Sequence, residues 1–192
     1  MVQDLDIARW RLRSQHLVAP HAASAREVVG SLLAVQAENP SQAAWAVASR
    51  TQHPDQADLA TLLDDGAVLR MHVLRPTWHF VRAEDIGWLL DLTGPRVRRV
   101  TGQQLRTAHG LDERCIDHAV AALTQALAGR GQLTRAQLAD ELRERGIRGS
   151  GQLLMILLAH AELGGLICSG GIVDGEHTYA LSGKSTGARR PW

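Results

Sequence analysis

Two polar side chains flank one apolar residue in the run LLAVQAENPSQAAWAV, residues 32–47: Gln36 and Glu38. A carboxylate can activate a water molecule, or steady positive charge that develops as a bond breaks. An amide beside it can orient that water or the substrate through hydrogen bonds. In a continuous helix, residues two apart do not share a face. This pair falls at a junction, because Asn39 suits a helix N-cap, Pro40 the first helical position and Gln42 a capping-box-like partner. Where the chain turns between two helices, both side chains can enter one cleft. The spacing alone equally describes two solvated polar residues in a helix-helix turn.

A second group with chemical capacity lies in RMHVLRPTWHFVR, residues 70–82. Apolar and polar residues partly alternate there, and Pro76 is not tolerated in a central strand, so the run predicts a hairpin turning at Arg75, Pro76 and Thr77. His72, Arg75 and His79 admit three readings. An arginine and a histidine on such a hairpin can reach phosphate or the minor groove. Two histidines across a hairpin could hold a metal, although no third ligand stands at suitable spacing. They could also simply brace the hairpin against neighbouring helices. Trp10, Trp45, Trp78 and Trp88 are expected to fill small helical cores rather than stack on bases, and Trp192 has no assigned role. Walker, G-x-S-x-G and H-E-x-x-H motifs do not occur, which removes the common nucleotide, serine-hydrolase and zinc-protease readings. Ser169-Gly170-Gly171 belongs to a hairpin and need not cradle phosphate.

These residues require a scaffold, and its grammar is regular. Helices are predicted over 4–18, over 24–35, from Asn39 through Trp45 to Arg50, and over 59–63. With the hairpin they form a winged helix, helix-turn-helix geometry completed by a strand pair. The pattern recurs with helices over 115–128, within 131–146 (capped by Thr134) and over 151–163, followed by two strands in LICSGGIVDGEHTYAL, residues 166–181. The helix over 151–163 is dominated by apolar residues and reads as packed core rather than as a base-reading helix. The expected division is a first winged-helix unit carrying the catalytic motif over 1–83, a connector over 84–110, a second unit over 111–181 and an atypical tail over 182–192. The connector is expected to hold a helix over 84–92 and then a basic stretch with Arg96, Arg98, Arg99 and Arg106. The fold class is mainly α with small β-hairpins, arranged as tandem winged-helix domains.

Composition limits the partners. Lysine plus arginine total 21 against 20 acidic residues, so a net charge of +1 gives no general field for attracting nucleic acid. Lys184 is the only lysine, and the rest of the basic charge is arginine, the side chain suited to bidentate phosphate contacts. Cys115 and Cys168 have no C-x-x-C spacing, which suggests neither a zinc ribbon nor a disulfide framework and fits a reducing cytoplasm. No signal peptide or membrane span is expected.

The run AVQAENPSQAAWAVASR is similar to the N-terminal signature of the winged-helix DNA glycosylases of the AlkZ type, whose catalytic motif at this point is Gln-x-Gln or Gln-x-Asp. MHVLRPTWHFV resembles the hairpin of that family, with its Arg-x-Thr-x-His pattern at Arg75, Thr77 and His79. LLMILLAHAELGGLICSGG followed by HTYAL resembles its second winged helix, and the similarity runs in order over residues 7–181. The resemblance implies hydrolysis of the N-glycosidic bond of alkylated or crosslinked purines in DNA, with Gln36 and Glu38 catalytic and Arg75, Thr77 and His79 binding DNA. It also implies a double-stranded DNA partner held through phosphate and shape contacts, no cofactor, and a monomer in the cytoplasm. Glu38 stands where the family's motif has glutamine or aspartate. Three tandem winged helices are expected in the family, and SGKSTGARRPW replaces the continuation toward the third, so a truncated member is expected here. The competing expectation is a non-catalytic winged-helix DNA-binding protein or transcription regulator. That class usually carries a basic recognition helix and a dimerisation element, neither of which is clear in the sequence.

Overall fold

In the computed structural model, residues 2–173 and 175–182 are described, so nearly all of the expected tail lies outside the described residues. The chain runs α1 (Asp4–Ser14), α2 (Ala25–Leu32), β1 (Val35–Gln36), α3 (Pro40–Ala48), α4 (Gln56–Asp64), β2 (Val68–Val73), β3 (Arg75–Arg82) and α5 (Ala83–His109). It continues through α6 (Glu113–Arg130), β4 (Gln132–Thr134), α7 (Arg135–Glu144), α8 (Gly151–Leu163), β5 (Ile167–Val173) and β6 (Glu176–Leu181). The order helix, short strand, helix, helix, hairpin therefore occurs twice, from α2 to β3 and from α6 to β6. Each half closes a three-stranded antiparallel sheet, β1-β3-β2 and β4-β6-β5, with the last strand in the middle. The fold is mainly helical with two small sheets.

Caps fix where the helices begin. The Asn39 side chain accepts from the Gln42 backbone N–H (3.1 Å) with Pro40 in the first turn, and Thr134 and Gln137 bond reciprocally in a capping box. Ser24 caps α2 through the Glu27 N–H (3.2 Å). These starts match the sequence expectation. Four details differ. The first hairpin turns one residue early, at Leu74, which holds a positive φ of 64°. Ser169-Gly170-Gly171 lies within β5 at a bulge, and the turn of the second hairpin falls by Gly175. β1 and β4 are strands without a forecast. The connector is a single 27-residue helix that continues through Pro95 rather than a helix followed by a basic stretch.

That last helix survives its proline because of packing. An interior proline removes a helical hydrogen bond at a cost of about 3 kcal/mol. In compensation, α5 buries Ile86, Leu89, Leu90, Val97 and Leu105. It also approaches α8 closely at Gly94, where an added Cβ would lie 2.9 Å from the Leu163 carbonyl oxygen.

The first sheet is buried on both faces. Val68 and Phe80 share a core with Val28, Val29, Val47 and Leu59 of the first helices, and Leu69, Met71 and Val81 share one with Ile86, Leu89 and Leu90 of α5. Of the four tryptophans expected in cores only Trp78 is buried, whereas Trp10, Trp45 and Trp88 are exposed. α1 buries none of its side chains.

The outer edge of β2 meets the second half. Ser169 Oγ accepts from Arg70 N–H (2.8 Å) and donates to the Arg70 carbonyl. Glu162 of α8 is wholly buried, and its Oε2 accepts from both the His72 backbone N–H (3.2 Å) and the His72 ring Nδ1.

Candidate active site

Gln36 ends the two-residue strand β1, and Glu38 lies in the bend that follows it. Val35 pairs with Phe80 and Gln36 with His79, and the Ala37 N–H then donates to the Trp78 carbonyl (2.8 Å). In an extended chain successive side chains alternate, so residues two apart share a face. Ala37 is wholly buried, while Gln36 and Glu38 are both exposed on the other side. The one cleft expected for both side chains is not formed, because the two border different hollows.

Each side chain is oriented by β3. Arg75 Nη2 donates to Gln36 Oε1 (3.1 Å), and since a guanidinium only donates, the amide oxygen must face it and the NH2 must face away. The Glu38 carboxylate accepts from the Trp78 backbone N–H through Oε2 (3.3 Å). Glu38 Oε1 has no protein donor among the described residues.

Along β3, His79 pairs with Gln36, and an irregularity in the pairing separates Arg75 from Trp78. Arg75 is exposed, Thr77 Oγ1 is buried without a partner among the described residues, and His79 is only 4% exposed. The His79 Nδ1 donates to the Thr77 carbonyl (2.9 Å), and burial holds the imidazole below its ordinary pKa, with Arg75 adding to the effect. His79 is therefore a neutral strut at physiological pH. Among the described residues, no three or more His, Cys, Asp or Glu side chains converge as metal ligands.

Two hollows flank the strand. The smaller, about 270 Å³, is bordered by Gln36, Gln15 and Arg50 with apolar residues of α2 and α3. The larger, about 840 Å³, lies between the first sheet and the second half, with Glu38, Arg70 and Trp78 on one side and Arg135, His177 and Tyr179 on the other. Here the structure sets beside His72 three residues that sequence reasoning passed over, Arg70, His177 and Tyr179. Arg70 lies over the Trp78 ring (4.1 Å to its centroid) and donates from Nε to the Ala37 carbonyl (2.9 Å). His72 packs on Trp78 (4.3 Å between centroids), and His177 meets both Trp78 and Tyr179 edge-on (5.0 and 4.9 Å). Burial lowers the Arg70 pKa, drops that of His177 to about 3 and raises that of Tyr179. Arg70 and His72 stand in the hairpin motif, so their alternation with Met71 was a usable signal. His177 and Tyr179 had none, because their partners lie about a hundred residues away.

An interstrand DNA cross-link repair glycosylase of Streptomyces sahachiroi is 29% identical over 195 residues, covering 93% of this chain and 49% of that protein. The solved structure of the DNA glycosylase AlkZ from Streptomyces sahachiroi superposes with a TM-score of 0.71 at 27% identity, again over 93% of this chain and 49% of that one. The chain thus spans about half the length of the relative it matches. Among the described residues no helix is long and apolar enough to cross a membrane. The family model for AlkZ-like DNA glycosylases matches residues 29–189, which include both sheets, Gln36 and Glu38, so the chain belongs to the AlkZ-like DNA glycosylase family.

Proposed function

We propose that this chain hydrolyses the N-glycosidic bond of alkylated or crosslinked purines in double-stranded DNA, with Gln36 and Glu38 as its reacting pair. The observation that carries this reading is the exposed edge of the first sheet, where β3 orients both side chains. Gln36 is aimed there by Arg75, and Glu38 is tethered through one oxygen with the other uncommitted. Breaking the bond leaves positive character on the sugar. Glu38 lies where a carboxylate can stabilise that charge or take a proton from the attacking water, and the Gln36 NH2 orients the water or the sugar. Arg75 contacts phosphate, while Thr77 and His79 hold its strand in place against the duplex. The working division is a first winged-helix unit over 1–83, a connector over 84–110 and a second unit over 111–181. The protein acts as a monomer in the cytoplasm.

The third helix of each unit argues against a sequence-reading regulator. α4 (QADLATLLD) carries no basic residue, and α8 (GQLLMILLAHAEL) is buried along most of its length. Neither offers the arginine, asparagine or glutamine row that reads a major groove.

Single-turnover excision from N-alkylated duplex DNA tests the assignment. Glu38→Ala should slow excision about 100-fold or more, with duplex affinity nearly unchanged, because the carboxylate acts on charge present mainly in the transition state. Glu38→Gln should keep part of the rate, since glutamine serves at this place in the family's motif. Excision at the unmodified rate by Glu38→Ala, or none by the unmodified chain, would refute the reading.

A further inference from the structure

An enzyme that acts on the bond between base and sugar must take the nucleotide out of the stack and receive it somewhere. Resting on the glycosylase reading above, we infer that the hollow between the two halves is the seat of the extruded purine, with the Arg70 guanidinium, backed by Trp78, as the surface against which the base lies.

Size and lining fit. The hollow's volume of about 840 Å³ lies within the ~300–1,000 Å³ usual for small-ligand sites. One wall is apolar, formed by Ala136 and Ala139 of α7 with Leu154 and the exposed Met155 of α8. Glu38, one of the proposed reacting pair, stands on the opposite side, so a base in the hollow and a sugar at its mouth would bring the glycosidic bond to that carboxylate.

Arg70 is the unusual member. A guanidinium has five N–H donors. Nε reaches the Ala37 carbonyl, and Nη2 makes a long contact to the Glu38 carbonyl (3.4 Å). The remaining three have no protein acceptor among the described residues, and no carboxylate there forms an ion pair with this half-buried cation. Its plane is already fixed by the Trp78 ring and the Ala37 carbonyl. A preorganised planar donor with spare N–H groups matches the acceptor edge of a purine and can also stack on its face. His177 borders the same hollow with a buried Nε2 that has no partner.

The charges distinguish a base from a phosphate. Arg70 and Arg135 are balanced by Glu38 and Glu176 around the hollow, leaving no net charge. A phosphate seat would carry a positive surplus. A base with mixed donors and acceptors, including one made cationic by alkylation, suits the balanced site.

The test uses the full chain and a duplex carrying one 2-aminopurine opposite an abasic position, read by fluorescence at saturating protein so that affinity does not enter. The unmodified chain should give a severalfold rise as the base leaves the stack. Arg70→Met removes the donors but keeps an aliphatic cover on Trp78. Ala136→Trp fills the hollow from an exposed helix position without touching a hydrogen bond. Each should cut the rise to a tenth or less, with circular dichroism unchanged. A full rise in Ala136→Trp overturns the inference. So does a result in which Arg70→Met lowers only the salt dependence of binding, by about one ion, and leaves the rise intact, since Arg70 would then be a backbone contact. Excision of alkylated bases is followed in parallel. Unimpaired excision by Ala136→Trp sinks the seat and spares the glycosylase reading, whereas no excision and no rise in the unmodified chain sinks both.

Discussion

Replacing Glu162 should be among the most damaging single changes in this protein, although it is not one of the two residues proposed to react. Its side chain is wholly buried, and one oxygen accepts from both the His72 backbone N–H and the His72 ring. Glu162→Ala strands two buried donors at about 1–3 kcal/mol each. It also opens a small cavity at about 1 kcal/mol. Incomplete additivity and partial relaxation place the expected loss at about 3–5 kcal/mol, the range seen when one partner of a buried pair is removed. At ~2–4 °C per kcal/mol for a chain of this size, the melting temperature should fall by about 6–20 °C. Glu162→Gln retains one acceptor oxygen and should lose about half as much. Urea unfolding followed by circular dichroism gives the free energy, with the m value checking that unfolding remains cooperative. A loss under about 1 kcal/mol for Glu162→Ala at constant m would refute the reasoning, because it would mean that His72 finds another acceptor at no cost.

Three further outcomes follow from the same structure. His160 is held at a pKa of about 4, by burial first and by Arg98 second, and it bonds to Thr101 and Arg98 between α5 and α8. The unfolded chain therefore binds its proton first as pH falls below about 6.5, so stability is fully present above that pH and is lost as the pH drops toward 4. His177 acts in the same direction, and His160→Asn should flatten the slope of melting temperature against pH in this window; an unchanged slope would contradict the assignment. Gly94→Ala should destabilise by about 1–3 kcal/mol because its Cβ meets the Leu163 carbonyl, while Gly87→Ala on the same helix meets nothing within 4 Å and should stabilise by about 0.5–1 kcal/mol. Equal effects in denaturant melts would show that the two helices do not pack as described. Arg75→Ala should weaken duplex binding alike for all sequences and lower the salt slope by about one, and a slope that stays the same would remove Arg75 from the phosphate contacts.

The local part of this architecture was legible and the long-range part was not. Asn39-Pro40 and Thr134 announced helix starts because capping is a contact between residues three apart in sequence. β1 is two residues long and exists only because β3, some forty positions later, offers it an edge. That absence left Gln36 and Glu38 read as a helix junction opening into one cleft, whereas Gln36 ends a strand and the two side chains border different hollows. The helix expected over 84–92 runs on through Pro95 because it packs against α8, and Leu74 gave no sign of a turn because a positive φ at a leucine has no sequence signature. The cleft itself was invisible, since its far wall comes from α7, α8 and β6.

The side chains of Ser169 and Glu162 that meet β2 bear on how the molecule can be divided. A strand with one unpaired side is a template on which another chain can add itself, and proteins commonly guard such strands with lysines, prolines or a covering segment. β2 (VLRMHV) has neither lysine nor proline and relies on a hydroxyl and a carboxylate from more than eighty residues downstream. A first half severed within α5 would keep its helices and hairpin but present a bare, largely apolar strand to solvent, open to self-association. The second half would meanwhile carry a buried carboxylate with nothing to accept from. The two winged-helix units are therefore co-dependent for solubility as well as for the hollow between them, and a usable first half would need its own guard, such as a lysine on the outer side of β2.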